Sequence, residues 1–149
     1  DATHTIRDII QRTLSVSFAD GAAANQVDGH WSDERTLGAS ATENLDLAGV
    51  LTDAFGAVIT MARVKAVLIE ADSTNTNNVD LGGGTNPFIG WFKAVSDIDS
   101  FAPGAWALYV NPSAAGWVVT AATGDILKVA NSGAGTSVKY RITIWYSLT

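Results

Sequence analysis

The sequence predicts an all-β domain, an antiparallel β-sandwich or jelly-roll-like barrel of about eight to ten short strands. Short segments alternate apolar and polar residues at period two, as half-buried strands do. Runs rich in Gly, Pro, Asn and Asp separate these segments about every 8–12 residues. No segment keeps the helical period over three turns, and no parallel βαβ spacing occurs.

Two segments carry the strongest strand signals. Val138–Ser147 alternates with apolar side chains at its even positions, and Met61–Glu70 is rich in β-branched residues, which favours a central strand. His30 and Trp31 lie in or beside a further strand. The segment Asp97–Gly104 is predicted as a loop with a Pro-Gly turn. The remaining predicted strands are Arg12–Phe18, Glu43–Leu47, Val79–Leu81, Phe88–Val95, Ala105–Val110, Trp117–Thr120 and Ile126–Ala130.

The length of 149 residues suits one domain. We expect residues 1–12 to form an N-terminal arm or first strand, and residues 13–149 to form a single β-sandwich. Spacing of Ile6, Ile9 and Ile10 also allows one helical turn, but an extended arm is favoured.

Composition argues against several classes of protein. The chain has no Cys, which removes disulfide scaffolds, thiolate metal sites and cysteine nucleophiles. A net charge of −6 argues against binding nucleic acid through its phosphates. The least charged stretch, Phe101–Asp125, lacks the block of about 20 apolar residues that a membrane span needs. Asp1–Thr5 do not begin a signal peptide, so none is expected.

No residue pattern points strongly to chemistry, and no catalytic residue, cofactor or metal is expected. His4 and His30 lack the regularly spaced partners of a metal site. Asp97 and Asp99 could bind Ca²⁺ or form a catalytic pair, but their spacing is more typical of a loop with Asx turns. The run Gly82–Thr85 has no following Lys, so it predicts a hairpin loop and not a phosphate-binding loop.

The surface pattern favours assembly. Charged residues make up 16% of the chain, against roughly 25% in an ordinary soluble domain, so we expect an oligomer. Trp106 is placed on the core face of its strand. Trp145 shares a strand face with Lys139, Arg141 and Thr143, and is a candidate interface anchor.

Three parts of the chain carry a family resemblance. They are Leu37–Leu47 with Leu51–Gly56, then Val64–Ile69, and finally Gly116–Gly135 with its run Thr-Gly-Asp-Ile-Leu-Lys-Val-Ala-Asn-Ser-Gly-Ala-Gly. They resemble a family of small β-fold structural proteins of tailed bacteriophages. The resemblance extends from about Leu14 to Ile144 and includes no catalytic motif.

What the resemblance implies is a non-enzymatic virion protein, assembled in the host cytoplasm. The favoured role is a capsid decoration or cement protein, with a tail, baseplate or head-fibre module, or a carbohydrate-binding β-sandwich, as alternatives. Expected partners are copies of itself, with a homotrimer favoured, and the major capsid protein or other virion proteins. Neither nucleic acid nor membrane is an expected partner. The arm would contact a neighbour through Ile6, Arg7, Ile9, Ile10 and Arg12.

Overall fold

A computed structural model describes residues 11–149. Within them, eleven strands form two packed antiparallel sheets and one short parallel pair, which confirms the all-β prediction and, between its two forms, the sandwich. The strands are β1 (Ala19–Asp20), β2 (Gln26–Val27), β3 (Gly29–Leu37), β4 (Thr42–Asp46), β5 (Arg63–Ala71), β6 (Val79–Gly82), β7 (Ile98–Phe101), β8 (Trp106–Val110), β9 (Trp117–Val118), β10 (Ile126–Asn131) and β11 (Val138–Ser147).

The two sheets differ in size. The larger has the order β3-β11-β5-β8, and the short β9 also pairs with β5. The smaller has the order β4-β10-β6-β7. The two segments with the strongest strand signals, β5 and β11, lie side by side at the centre of the larger sheet, as their apolar patterns predict. No helix among residues 11–149 is long and apolar enough to cross a membrane.

The core fills the space between the sheets. The even positions of β11 face inward, and Tyr140, Ile142 and Ile144 are fully buried there. Full burial of a Val, Leu or Ile side chain contributes about 1.5–3 kcal/mol, so this interface supplies the main driving force for folding. Other core side chains from the two sheets are Val67, Ile69, Leu45, Val79, Leu81, Phe101, Leu127 and Val129.

A polar cluster closes one open side of the sandwich, between the edge strands β3 and β4. The buried hydroxyl of Tyr140 donates to Glu43 Oε1 at 2.5 Å. Arg35 Nε and Nη2 both lie 2.7 Å from Glu43 Oε2, and Arg35 Nη1 donates to Asp33. The guanidinium therefore joins the two edge strands and neutralises the carboxylates.

An aromatic cluster closes the opposite side, between β7 and β8. The Trp91 indole stacks on Tyr109 with ring centroids 4.1 Å apart, and both donate to Asp99 Oδ2. Phe92 packs so closely on Gly82 that a Cβ there would lie 2.7 Å from the ring. Gly82 also has φ of +113°, so two independent constraints require glycine at the end of β6.

Three predicted elements are wrong. Residues 12–18 form no regular strand, because they have no main-chain partner in the described structure. Residues 88–95 form turns, since Gly90 has a positive φ and Phe92 N donates back to Ile89 O at 2.5 Å. The predicted loop at 97–104 contains strand β7, which pairs with β6.

We predict that stability at alkaline pH depends on Tyr140. Burial, reinforced by the hydrogen bond to Glu43, raises the pKa of Tyr140 above its ordinary value of 10.0. Because the folded-state pKa is the higher one, this contribution is fully present below about pH 10 and is lost as the pH rises further. Urea unfolding from about pH 9 to 11.5 should show a shallower decline for Tyr140→Phe than for the wild type.

The same variant measured at pH 7 isolates the hydrogen bond. Loss of a bond to a charged acceptor should cost about 1.5–3 kcal/mol. Identical alkaline slopes for the two proteins would contradict the assignment of this pKa shift to Tyr140.

Candidate self-association surface

The outer face of the larger sheet is apolar along β5 and β8. Leu68 lies opposite Leu108 in the β5–β8 register, and Ala66 lies opposite Val110. Trp145 of β11 lies opposite Ala66 on its other side. Since these side chains point away from the smaller sheet, the larger sheet has one apolar face inside the sandwich and a second one outside it.

The predicted position of Trp106 on the core face of its strand is wrong. Its side chain is 66% exposed on the outer face of the larger sheet, opposite Glu70 of β5. Both faces of β8 are apolar, so period two alone does not identify the inward one. Leu108 is also exposed, at 40%.

Residues 11–18 lie over this face and create an apolar groove. Leu14 and Val16 remain exposed at 68% and 45%, and Phe18 is half-buried. Between this segment and the sheet is a cavity of about 240 Å³ lined only by apolar residues. The lining residues of this apolar groove are Leu14, Val16, Phe18, Ala66, Leu68, Leu108, Val110 and Trp145.

Trp145, the predicted interface anchor, is half-buried in this groove. Arg12 is exposed near the beginning of the described chain. The other predicted interface residues, Ile6, Arg7, Ile9 and Ile10, lie outside the described residues. Their role at an interface stays a prediction.

The free edge of β8 adjoins the apolar groove. In the described structure β8 pairs with β5 alone. Asn111 N donates to Lys65 O, and Ala71 N donates to Ala105 O. The odd-numbered residues of this segment are therefore the ones whose main-chain groups point toward β5. The N–H and C=O groups of Trp106, Leu108 and Val110 therefore point away from β5. This edge offers unpaired main-chain groups beside exposed apolar side chains.

The other half of the outer face is polar. Arg141 Nε donates to Glu34 Oε2 at 2.7 Å, and the hydroxyls of Ser32 and Thr143 are 2.8 Å apart. Strand β3 supplies one partner of each pair and β11 the other. The polar pairs therefore limit the apolar surface to the half of the sheet nearest β8.

A buried lysine supports the loops at one end of this surface. Lys65 is fully buried, and its Nζ donates to the carbonyl oxygens of Ala114, at 2.9 Å, and Ser113. Ala22 O and Ala23 O lie at 3.4 and 3.5 Å. Lys65 therefore holds the loop after β8 against the loop between β1 and β2.

The sequence contained a signal for this lysine that our prediction did not use, a cation inside the most apolar run. The β5–β11 pairing shifts register between Trp145 and Tyr146, so that Lys65 is the extra residue of a bulge. Burial, with the nearby Arg63 charge, lowers the pKa of Lys65. The carbonyl oxygens around Nζ favour the charged form.

We predict that Lys65→Met lowers the free energy of unfolding by about 1–3 kcal/mol, because buried carbonyl groups lose their donor. Lys139→Met is the control. Lys139 is exposed and has one long ion pair, to Glu34 at 3.7 Å, so its loss should cost at most about 0.5 kcal/mol. Chemical denaturation measures the free energy of unfolding of both variants. Equal values would contradict the role of Lys65 in holding the two loops together.

The residues considered for chemistry have other contacts. Asp97 Oδ2 accepts from the backbone N–H groups of Lys93 and Ala94, which precede it in the chain, and not from a following residue as in the expected Asx turn. Asp99 belongs to the aromatic cluster. His30 is exposed at the β3 edge, and His4 lies outside the described residues. Gly82 ends β6 and Gly83 and Gly84 follow it, and all three have positive φ values. Among residues 11–149, no three His, Asp or Glu side chains group as metal ligands would.

Comparisons with known proteins give one structural likeness to report. No family model matches the sequence, and no curated protein matches it. A solved structure described as "Bacillus endospore appendages form a novel family of disulfide-linked pili" matches with a TM-score of 0.40 and 16% identity. The match covers 93% of this chain and 100% of that one. At these values the likeness carries no inference about mechanism.

The prediction of a bacteriophage capsid decoration protein is wrong by this comparison. The similar structure belongs to a bacterial pilus and not to a phage virion. The comparison gives no support to the tail, baseplate and head-fibre alternatives or to a carbohydrate-binding sandwich. The resemblance that suggested the phage family rested on strand and turn segments, and the turns of many β-sandwiches need the same Gly, Asn, Asp and Ser residues.

Proposed function

We propose that this chain is a structural module, without an enzymatic role, that assembles with copies of itself through the outer face of its larger sheet. The observation that supports this most strongly is the free edge of β8 beside the apolar groove. A second copy is the proposed partner.

The exposed apolar side chains support a protein interface. Trp106 and Leu108 follow one another on the outer face of β8, and Leu14 and Val16 extend the same apolar surface over the groove. Contiguous exposed apolar surface of this kind marks interaction sites in soluble proteins. Trp is also enriched among residues that anchor interfaces.

The main chain of β8 supports the same conclusion. Natural sheets protect their edges with charged residues, proline, bulges or a covering segment. Strand β8 has the sequence Trp-Ala-Leu-Tyr-Val and contains no charge and no proline. By contrast, the edge strand β3 carries Asp33, Glu34 and Arg35. Of these two edges of the larger sheet, the β8 edge is the one suited to pairing.

We predict that the wild-type protein associates as its concentration rises, and that Leu108→Asp shifts it toward the monomer. A charge at this position would lie in the apolar groove at the interface and would lose its hydration there. Sedimentation velocity over a concentration series measures the shift. The expected weakening is on the order of 30-fold or more, as for an interface anchor.

Val95→Asp is the matched control, because Val95 is 61% exposed in the turns before β7 of the other sheet. Thermal unfolding should show both variants folded. Association of Leu108→Asp as strong as that of Val95→Asp would contradict the proposed surface, and a wild type that stays monomeric would contradict self-assembly itself.

A further inference from the structure

A hairpin between β4 and β5 carries the most exposed large apolar side chain of the described residues. Phe55, at the tip of residues 47–61, is 97% exposed. Val50 and Val58 on the same hairpin are exposed at 66% and 58%. Three exposed apolar side chains on one hairpin contribute little to the fold, and their burial against a partner would be favourable.

The tip is held rigidly. Asp53 Oδ1 accepts from Phe55 N at 2.8 Å and from Ala57 N at 2.9 Å, and Asp53 N donates to Ala57 O at 2.9 Å. Gly56 adopts the positive φ of +86° that this turn needs. At its base, Leu51, Ile59 and Met61 are buried in the core. A backbone fixed in this way loses little conformational entropy on binding, so only the Phe55 side chain remains to be ordered.

The apolar groove has the features of a socket for such a ring. All eight of its lining residues are apolar, its volume is about 240 Å³, and Trp145 offers an aromatic surface. Aromatic pairs with suitable geometry gain attraction beyond the burial of area. The groove therefore has room for a phenyl ring and matches its polarity.

The ring and the groove are separate features of one copy. Hairpin residues Val50–Ala54 border a cavity whose other wall is His30–Arg35, so the hairpin lies beside β3. The groove lies over β11, β5 and β8. Phe55 is 97% exposed and is not among the residues that line the groove, so a ring that fills the groove comes from another copy.

The hairpin and the segment over the groove carry single charges of opposite sign. Residues 49–60 carry one charged side chain, Asp53, and residues 11–18 carry one, Arg12. The sheet residues that line the groove are uncharged. These single charges of opposite sign disfavour two hairpins facing one another. Asp20 and Asp28 border the Trp145 end of the groove.

We propose that Phe55 of one copy inserts into the apolar groove of the next, so that copies join head to tail. This inference rests on the proposed self-assembly and specifies its geometry. An interface between two different patches does not close on itself unless the rotation between copies completes a ring. The expected products are therefore chains or rings, and not an isolated two-fold dimer.

The test combines two variants that each lose one half of the interface. Phe55→Asp removes the ring and keeps the groove, whereas Leu108→Asp damages the groove and keeps the ring. Each alone should sediment as a monomer, with association on the order of 30-fold weaker than in the wild type. An equimolar mixture should form 1:1 heterodimers and nothing larger, because it contains one intact ring-and-groove pair. Val95→Asp again serves as the exposed control.

Each other outcome overturns a specific statement. If Leu108→Asp weakens association and Phe55→Asp does not, the self-association surface stands and the head-to-tail geometry is wrong. If both variants weaken association but their mixture stays monomeric, the two residues do not form one contact, and the insertion is wrong. If the wild type is monomeric at every concentration, both the assembly and the insertion are wrong. Thermal unfolding of Phe55→Asp should match the wild type, since the side chain has almost no contacts to lose.

Discussion

Along β5 and β8 the larger sheet is apolar on both faces, and a two-layer sandwich can cover only one of them. Val67 and Ile69 of β5 face the core, while Ala66 and Leu68 of the same strand face outward. The smaller sheet packs on the inner side alone. Residues 11–18 cover part of the outer side and leave a groove above it. The need to bury this second face connects the fold to the proposed assembly.

The two open sides of the sandwich are closed by different side chains, so the two edges of the larger sheet are not equivalent. Between β3 and β4, the Arg35–Glu43–Tyr140 cluster leaves a charged and hydrated edge. Between β7 and β8, the cluster around Trp91 and Tyr109 seals the core but leaves the main chain of β8 unpaired. The charged β3 edge therefore disfavours pairing with a strand of another molecule, whereas the β8 edge is available for it. An asymmetric module of this kind can join its copies in one direction.

Strong alternation in β11 and the β-branched run in β5 predicted the centre of the fold. Burial of these apolar residues stabilises both strands, so their apolar pattern was enough to predict them. Strand β3 was difficult to predict, since its polar residues at 32–36 pair with β11 at an edge and leave no apolar period. Trp106 was assigned to the wrong face, because a strand with two apolar faces has no inward signature. The candidate surface was predicted only through Trp145 and the low charge. The groove depends on residues 14, 68 and 108 meeting in space, which no local pattern encodes.

The central claim is that the β8 edge and the groove beside it are covered when copies meet. Hydrogen–deuterium exchange of the wild-type protein at low and high concentration tests it most directly. The amides of Trp106, Leu108 and Val110 point away from β5, so in the monomer they should exchange quickly. The account predicts that these amides and residues 11–18 become slower at high concentration, while the turns at 88–95 do not change. Equal exchange of β8 at both concentrations would contradict it.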